Sequence, residues 1–136
     1  MRKLVAGLLL VAVAACHDST TSPKQNGPLA GVYTLRTVNA KALPTVAYPD
    51  PTTPLSVVYG RVTLNADGSF VDSTVYSYPD AGVQRTESDV YKGTYEQDGD
   101  HITFNIAGNA GQYSMAWTVG DALTYITTDL TFLYRK

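Results

Sequence analysis

The chain contains little of the chemistry that most enzymes and metalloproteins need. Its 136 residues include one cysteine and two histidines, and only 16% of them are charged. One cysteine rules out an internal disulfide and a zinc site made of several thiolates. A formal net charge of -2 provides no general attraction to nucleic acid, and we predict no nucleic-acid partner. The length is that of one domain, which excludes a multidomain enzyme.

The sequence also lacks a long hydrophobic segment. Its N-terminal apolar run, residues 4–13, is shorter than the roughly 20 residues that a membrane-spanning helix needs. The run follows Arg2 and Lys3, and two alanines separate it from Cys16. A positive start, a short apolar core and small residues, in that order, are typical of a secretory signal peptide.

Residues 13–16, Val-Ala-Ala-Cys, resemble the lipobox of bacterial lipoproteins. The resemblance implies that residues 1–15 are a lipoprotein signal peptide and that the Cys16 thiol is acylated after cleavage. Several acyl chains hold a protein on a membrane persistently, since each buried methylene contributes about 0.8 kcal/mol. The alternative is an ordinary secretory signal with a cysteine nearby. By the sorting known for enteric lipoproteins, His17 in place of an aspartate implies the outer membrane of the cell envelope, facing the periplasm.

The segment after the cysteine differs in composition from the rest of the chain. Residues 17–28 are dominated by Ser, Thr, Pro, Asn and Gly, and no large apolar side chain occurs among them. This composition predicts that residues 16–28 form a lipidated, flexible tether. An ordered first strand is the alternative, but nothing in the segment could pack against a core. We therefore place the folded domain at residues 29–136.

Short segments separated by turn signals predict an all-β domain. No segment has a sustained helical period, and consecutive hairpins imply antiparallel neighbours. About eight strands in an up-and-down meander would leave two long edges, and closure into a small barrel removes them. The alternative is an open or flattened β-sandwich. The predicted strands are 31–38, 55–65, 69–78, 83–97 (broken or bulged near Gly93), 101–107, 112–119, 122–128 and 130–135, with a proline-rich loop at 45–54.

Alternation within these strands predicts which side chains face the barrel interior. The facing is uncertain for residues 69–78 and around Tyr91 and Tyr95, where alternation is weak. The predicted inward side chains are Val58, Val62, Leu64, Ile102, Phe104, Ile106, Tyr113, Met115, Trp117, Val119, Leu123, Tyr125, Leu130, Phe132 and Tyr134.

Residues 29–136 resemble a lipocalin-like, or calycin-type, small β-barrel. The resemblance rests on residues 29–33, 65–70, 93–95 and 130–136. Lipocalins open with Gly-x-Trp, where this chain has Gly31, Val32 and Tyr33, and in that family an arginine from the last strand packs over the Trp. The resemblance therefore implies that Arg135 packs over Tyr33, a cation–π contact worth about 0.5–1 kcal/mol.

The sequence offers no catalytic constellation. His101 follows Asp98 and Asp100 at a turn, but the domain has no second histidine to complete a metal or acid–base site. Glu87 and Asp89 are interpreted as a solvated outer face or as protection of a strand edge. There is no nucleophile elbow and no phosphate-binding glycine loop. We predict that the protein is not an enzyme and uses neither a metal nor a cofactor.

Aromatic content is the one feature that favours binding. The chain has ten tyrosines, whose apolar rings and polar tips suit a cavity, although tyrosine is also simply a good strand former. Candidate ligand contacts are Tyr113, Met115, Trp117 and Tyr125. We expect a membrane-anchored envelope lipoprotein that binds a small apolar or amphipathic ligand in its barrel. The alternative is a non-enzymatic structural or interaction module that contacts another envelope protein.

Overall fold

A computed structural model of the chain describes residues 29–118 and 122–136. The predicted signal peptide, the acylated Cys16 and the tether lie outside these residues, as does Val119. Within the described residues, no helix is long and apolar enough to cross a membrane.

The described residues form ten strands in one antiparallel sheet, with a short 3₁₀ helix at Ala107–Asn109. Eight strands follow one another around a closed barrel, because β1 pairs with both β10 and β4. The predicted meander and its closure are therefore confirmed, and the sandwich alternative is not adopted. The strands are β1 Gly31–Val38, β2 Lys41–Ala42, β3 Thr45–Tyr48, β4 Leu55–Leu64, β5 Ser69–Asp80, β6 Val83–Asp98, β7 His101–Ile106, β8 Gln112–Thr118, β9 Ala122–Ile126 and β10 Thr131–Arg135.

The two remaining strands lie outside the eight-stranded cycle. β2 pairs with the end of β1, and β3 pairs with the start of β4. The prediction of a loop over residues 45–54 was therefore wrong for Thr45–Tyr48, where Val and Tyr favour a strand despite the prolines that follow. The loop is confined to residues 49–54.

A register shift in β4 overturns one predicted facing. Val57 pairs with Tyr76 and Tyr59 with Val75, so Val58 is an extra residue in the ladder. Val57 is consequently fully buried, while Val58 is 39% exposed, the reverse of the prediction. Regular alternation resumes after the shift, and Val62 and Leu64 point inward as expected.

β5 and β6 form a long hairpin, in which β6 extends past the part that β7 covers. The two strands stay in register from Asp80 and Val83 down to Ser69 and Thr94, so the bulge expected near Gly93 is absent. Gly93 instead marks the point where β7 begins to pair with β6. A Cβ at Gly93 would overlap the carbonyl oxygen of Asn105, which explains why this residue has no side chain.

The two ends of the barrel differ. One end carries the turns at 64–69 and 98–101, and it is closed by the fully buried Leu29, whose carbonyl accepts a hydrogen bond of 2.7 Å from the Tyr33 hydroxyl. The other end, which we call the mouth, carries the hairpins at 80–83 and 106–112. Between them lies a core that confirms the predicted inward faces of β7 to β10. Its buried members there are Ile102, Phe104, Met115, Leu123, Phe132 and Tyr134.

Lys136, and not the predicted Arg135, places its cation over the Tyr33 ring. The Nζ atom of Lys136 lies 5.5 Å from the centroid of the Tyr33 ring, whereas Arg135 is exposed. Strand alternation is the reason, because Tyr134 points inward and its successor Arg135 must point outward. The Lys136 side chain also packs directly over Gly31, where a Cβ would collide with it.

Candidate functional site

A continuous layer of aromatic rings crosses the barrel below its mouth. Phe104 stacks on Tyr113 with ring centroids 4.6 Å apart, and Phe70 meets Phe104 edge-to-face at 4.9 Å. Tyr113 contacts Tyr125 at 5.5 Å, and Tyr125 contacts Phe132 at 5.8 Å. We call these five residues the aromatic layer. Ring pairs at these distances contribute beyond the area they bury, so the layer is a firm floor for the mouth.

A buried carboxylate lies beside this layer. On β5, Phe70, Asp72, Thr74 and Tyr76 alternate along the inward face, and Asp72 is only 7% exposed. The hydroxyl of Tyr113 donates a hydrogen bond of 2.8 Å to Oδ2 of Asp72. Oδ1 of Asp72 is buried and has no hydrogen-bond partner among the described residues. Burying a carboxylate oxygen without a hydrogen-bond partner costs free energy, so Asp72 is a candidate functional residue.

Burial dominates the electrostatics of the site. Desolvation raises the pKa of Asp72 above its ordinary value, and the Tyr113 hydrogen bond and the Ser73 amide only partly offset this. Burial likewise raises the pKa of Tyr113, and that of Tyr134. For Tyr76, burial and the nearby carboxylate of Asp89 raise the pKa to about 12. These phenols therefore remain neutral and act as hydrogen-bonding groups.

The β5–β6 hairpin forms one wall of the mouth. Its register pairs Asp72 with Tyr91, Thr74 with Asp89 and Tyr76 with Glu87, and cross-strand partners share a face. Glu87 and Asp89 therefore lie on the continuation of the inner face and not on the outer face, but both are exposed on the part of β6 that β7 does not cover, in agreement with the alternative interpretation as protection of a strand edge. Tyr91 is 43% exposed.

The structure brings two of the four predicted ligand contacts together. Tyr113 and Tyr125 are half-buried neighbours in the aromatic layer. Met115 is buried deeper in the core, opposite Ile102, and Trp117 lies further along β8 toward the closed end, in register with Leu123.

Asp72, Thr74 and Tyr76 were not predicted from the sequence as site residues. Polar residues occupy alternate inward positions of β5, and Val71 and Val75 lie on the opposite face, so neither face reads as apolar. The available signal was the spacing of Asp72 two residues after Phe70 and two before Thr74.

His101 lies away from the mouth. It is exposed and borders an outer depression of about 200 Å³ between β7, β8 and β9. Residues Ser114, Thr124 and Ile126 also line this depression, and Ile126 is 66% exposed. Across residues 29–118 and 122–136, no group of three His, Cys, Asp or Glu side chains could hold a metal ion.

Comparisons with known proteins do not identify the chain. No protein-family model, no curated protein and no solved structure matches it. The mouth and its residues are therefore the features of the protein that bear on its function.

Proposed function

We propose that the protein is a lipid-anchored envelope protein whose lipocalin-like barrel binds a small apolar or amphipathic ligand at its mouth, without catalysing a reaction. The observation that carries this proposal is the contrast between the two barrel ends. The closed end is filled by Leu29 and Tyr33, which have no exposed surface. At the mouth, Tyr76 and two members of the aromatic layer, Tyr113 and Tyr125, are only half-buried.

An amphipathic ligand fits the chemistry of these side chains. Tyrosine rings supply apolar contact area, and their hydroxyl groups supply hydrogen bonds that fix orientation. Burial raises the pKa of Tyr125, and the charge of Asp72 and the exposed Tyr48 and Tyr91 raise it further, so two more tyrosines lie near Tyr125. A mainly apolar lining with a few polar groups is typical of small-molecule sites.

Two measurements test ligand binding. Native mass spectrometry of the purified protein should detect a co-purifying small molecule, and calorimetric titration with medium-chain amphiphiles should give saturable binding. Tyr125→Ala should weaken that binding at least about tenfold, a loss of roughly 1.4 kcal/mol. The matched control is Tyr59→Ala, because Tyr59 is 40% exposed and points outward. Absence of both a co-purifying molecule and any saturable titration would refute the proposal.

The membrane anchor is a separate part of the proposal. It rests on the resemblance of residues 13–16 to a lipobox, which makes Cys16 the acylated residue. A Cys16→Ser variant should lose metabolic labelling with radioactive palmitate and should leave the outer-membrane fraction. A variant that stays in the membrane and stays labelled would contradict the anchor, while ligand binding by the barrel would be unaffected.

One observation favours the alternative of an interaction module. Residues 83–92 of β6 are exposed and pair with β5 on one side, whereas β7 pairs only from Gly93 onward. Such an edge can accept a strand from a partner protein. Photo-crosslinking in intact cells from position 88 should then trap one reproducible envelope protein, and the same probe at the exposed Thr131 should not. Equal labelling from both positions would argue against an edge partner.

A further inference from the structure

The polar centre of the mouth has an unused hydrogen-bond acceptor. Tyr113 donates a hydrogen bond to Oδ2 of Asp72, whereas Oδ1 has no hydrogen-bond partner among the described residues. The residue is nevertheless buried, with only 7% of its surface exposed. The hydroxyl groups of Tyr76 and Tyr134 lie near the Thr74 hydroxyl, and neither donates a hydrogen bond to Oδ1 of Asp72. The Tyr113 hydroxyl and the Ser73 amide therefore compensate the burial of this carboxylate only in part.

Four tyrosine side chains interact with this carboxylate. Tyr113 touches it directly, and its charge acts on Tyr76, Tyr125 and Tyr134. An ammonium group can bind where a carboxylate and aromatic side chains lie together, since the carboxylate pairs with its charge and a ring face attracts a cation.

The rim of the mouth adds negative charge. On the inner face of the β5–β6 hairpin, Asp80, Glu87 and Asp89 provide three carboxylates, and Arg85 provides one guanidinium. Arg85 is tied to Asp80, with Nε 3.3 Å from Oδ2, and Glu87 accepts a hydrogen bond of 2.6 Å from Tyr78. Asp89 lies near Tyr76, between the rim and the buried acid. This field attracts cations and repels anions.

We propose that the mouth binds a small amphipathic amine, with its ammonium group on Asp72 and its apolar part against the aromatic layer. The inference rests on the ligand-binding function proposed above and specifies the class of ligand. It excludes fatty acids as the preferred ligand, because a ligand carboxylate would face Asp72 and Asp89 with like charge.

Ligand entry requires a side-chain movement. Oδ1 of Asp72 is shielded from solvent, so a neighbouring ring must turn aside before an ammonium group reaches it. Tyr76 and Tyr125 are half-buried at the opening, and rotamer changes of such side chains are fast compared with binding. An amine then supplies the missing donor and neutralises the buried charge.

The test compares three ligands that differ only in their head group. Octylamine, octanol and octanoate are titrated by calorimetry into the full chain in its non-acylated Cys16→Ser form. The same titrations are made with Asp72→Asn, which retains an acceptor for Tyr113 but removes the charge. Asp98→Asn is the matched control, since it removes one carboxylate from an exposed turn at the closed end. Circular dichroism establishes that each variant is folded.

The outcomes separate this inference from the function on which it rests. Octylamine should bind at least about tenfold more tightly than octanoate. Asp72→Asn should weaken octylamine binding at least tenfold and should change octanol affinity by less than threefold. Asp98→Asn should change neither affinity. Octanoate binding as tightly as octylamine, or an equal loss of amine and alcohol in Asp72→Asn, would overturn the inference and leave ligand binding intact. Failure of all three ligands to bind the unmodified mouth would refute both proposals.

Discussion

The hydroxyl of Tyr113 reaches Oδ2 of Asp72 across the barrel interior, at 2.8 Å and over 41 residues of sequence. β8 and β5 are separated in the sheet by β7 and β6, so this bond links walls that are not neighbours. It satisfies one carboxylate oxygen and leaves the other unpaired. The pair therefore positions a charge without fully compensating it, which is typical of sites where stability is sacrificed for function.

This imbalance predicts that Asp72 destabilises the fold at neutral pH. Burial raises the pKa of Asp72 in the folded state above the value of 3.8 expected of the unfolded chain. Between these two values the folded state binds more protons than the unfolded state, so stability falls as pH rises through that interval. Asp72→Asn carries no charge to bury, and it should unfold at a higher urea concentration than the wild type at pH 7.

The pH dependence distinguishes this effect from a change in packing. The advantage of Asp72→Asn should be small below pH 3.8, grow as pH rises and then become constant. Asp98→Asn, an equal change of charge on an exposed side chain, serves as the control. Urea midpoints measured across this pH range give the comparison. A variant less stable than the wild type at pH 7 would show that the folded state compensates the carboxylate.

The strands and their closure were predictable because turn chemistry is local. Asp67–Gly68 and Asp98–Gly99 mark hairpins through residues that hydrogen-bond nearby backbone or adopt positive φ. Regular alternation in β7 to β10 also identified the inward faces. The register shift at Val58 was not predictable, since it depends on how β4 is shared between β3 and β5.

The candidate site was only partly predictable. Tyr113 and Tyr125 were found because large aromatic side chains alternate on short strands. Asp72 was not found, because a polar residue in phase with Phe70 weakens the alternation from which facing is read. Its importance depends on Tyr113, a contact that appears only when the barrel closes.

The register shift in β4 makes neighbouring valines unequal. Val57 is fully buried and Val58 is 39% exposed. Val57→Ala removes two buried methyl groups and leaves a cavity, so it should lower the free energy of unfolding by about 2 kcal/mol. Val58→Ala should change it by less than about 0.5 kcal/mol. Urea unfolding of both variants provides the test. A larger loss of stability for Val58→Ala than for Val57→Ala would mean that Val58, and not Val57, faces the core.

Gly93 should tolerate no side chain. A Cβ at this position would overlap the backbone carbonyl of Asn105, and backbone moves less readily than a side chain. Gly93→Ala should therefore destabilise the protein by about 1–3 kcal/mol, the usual cost of overpacking. The neighbouring Thr94 is exposed, and Thr94→Ala should cost about 0.5 kcal/mol or less. Thermal and urea unfolding should agree, and equal stability of the two variants would disprove the close approach of β6 and β7.

The contact between Lys136 and Tyr33 predicts that the last residue stabilises the closed end more than its neighbour does. The Nζ atom lies 5.5 Å from the ring centroid, and a cation–π contact at such a site contributes about 0.5–1 kcal/mol. Lys136→Ala should lower the free energy of unfolding by about that amount, whereas Arg135→Ala should have a smaller effect because Arg135 is exposed. Lys136→Met retains most of the apolar stem without the charge, so it separates the cation from the packing over Gly31. If Lys136→Met is as stable as the wild type while Lys136→Ala is not, packing rather than the cation explains the contact.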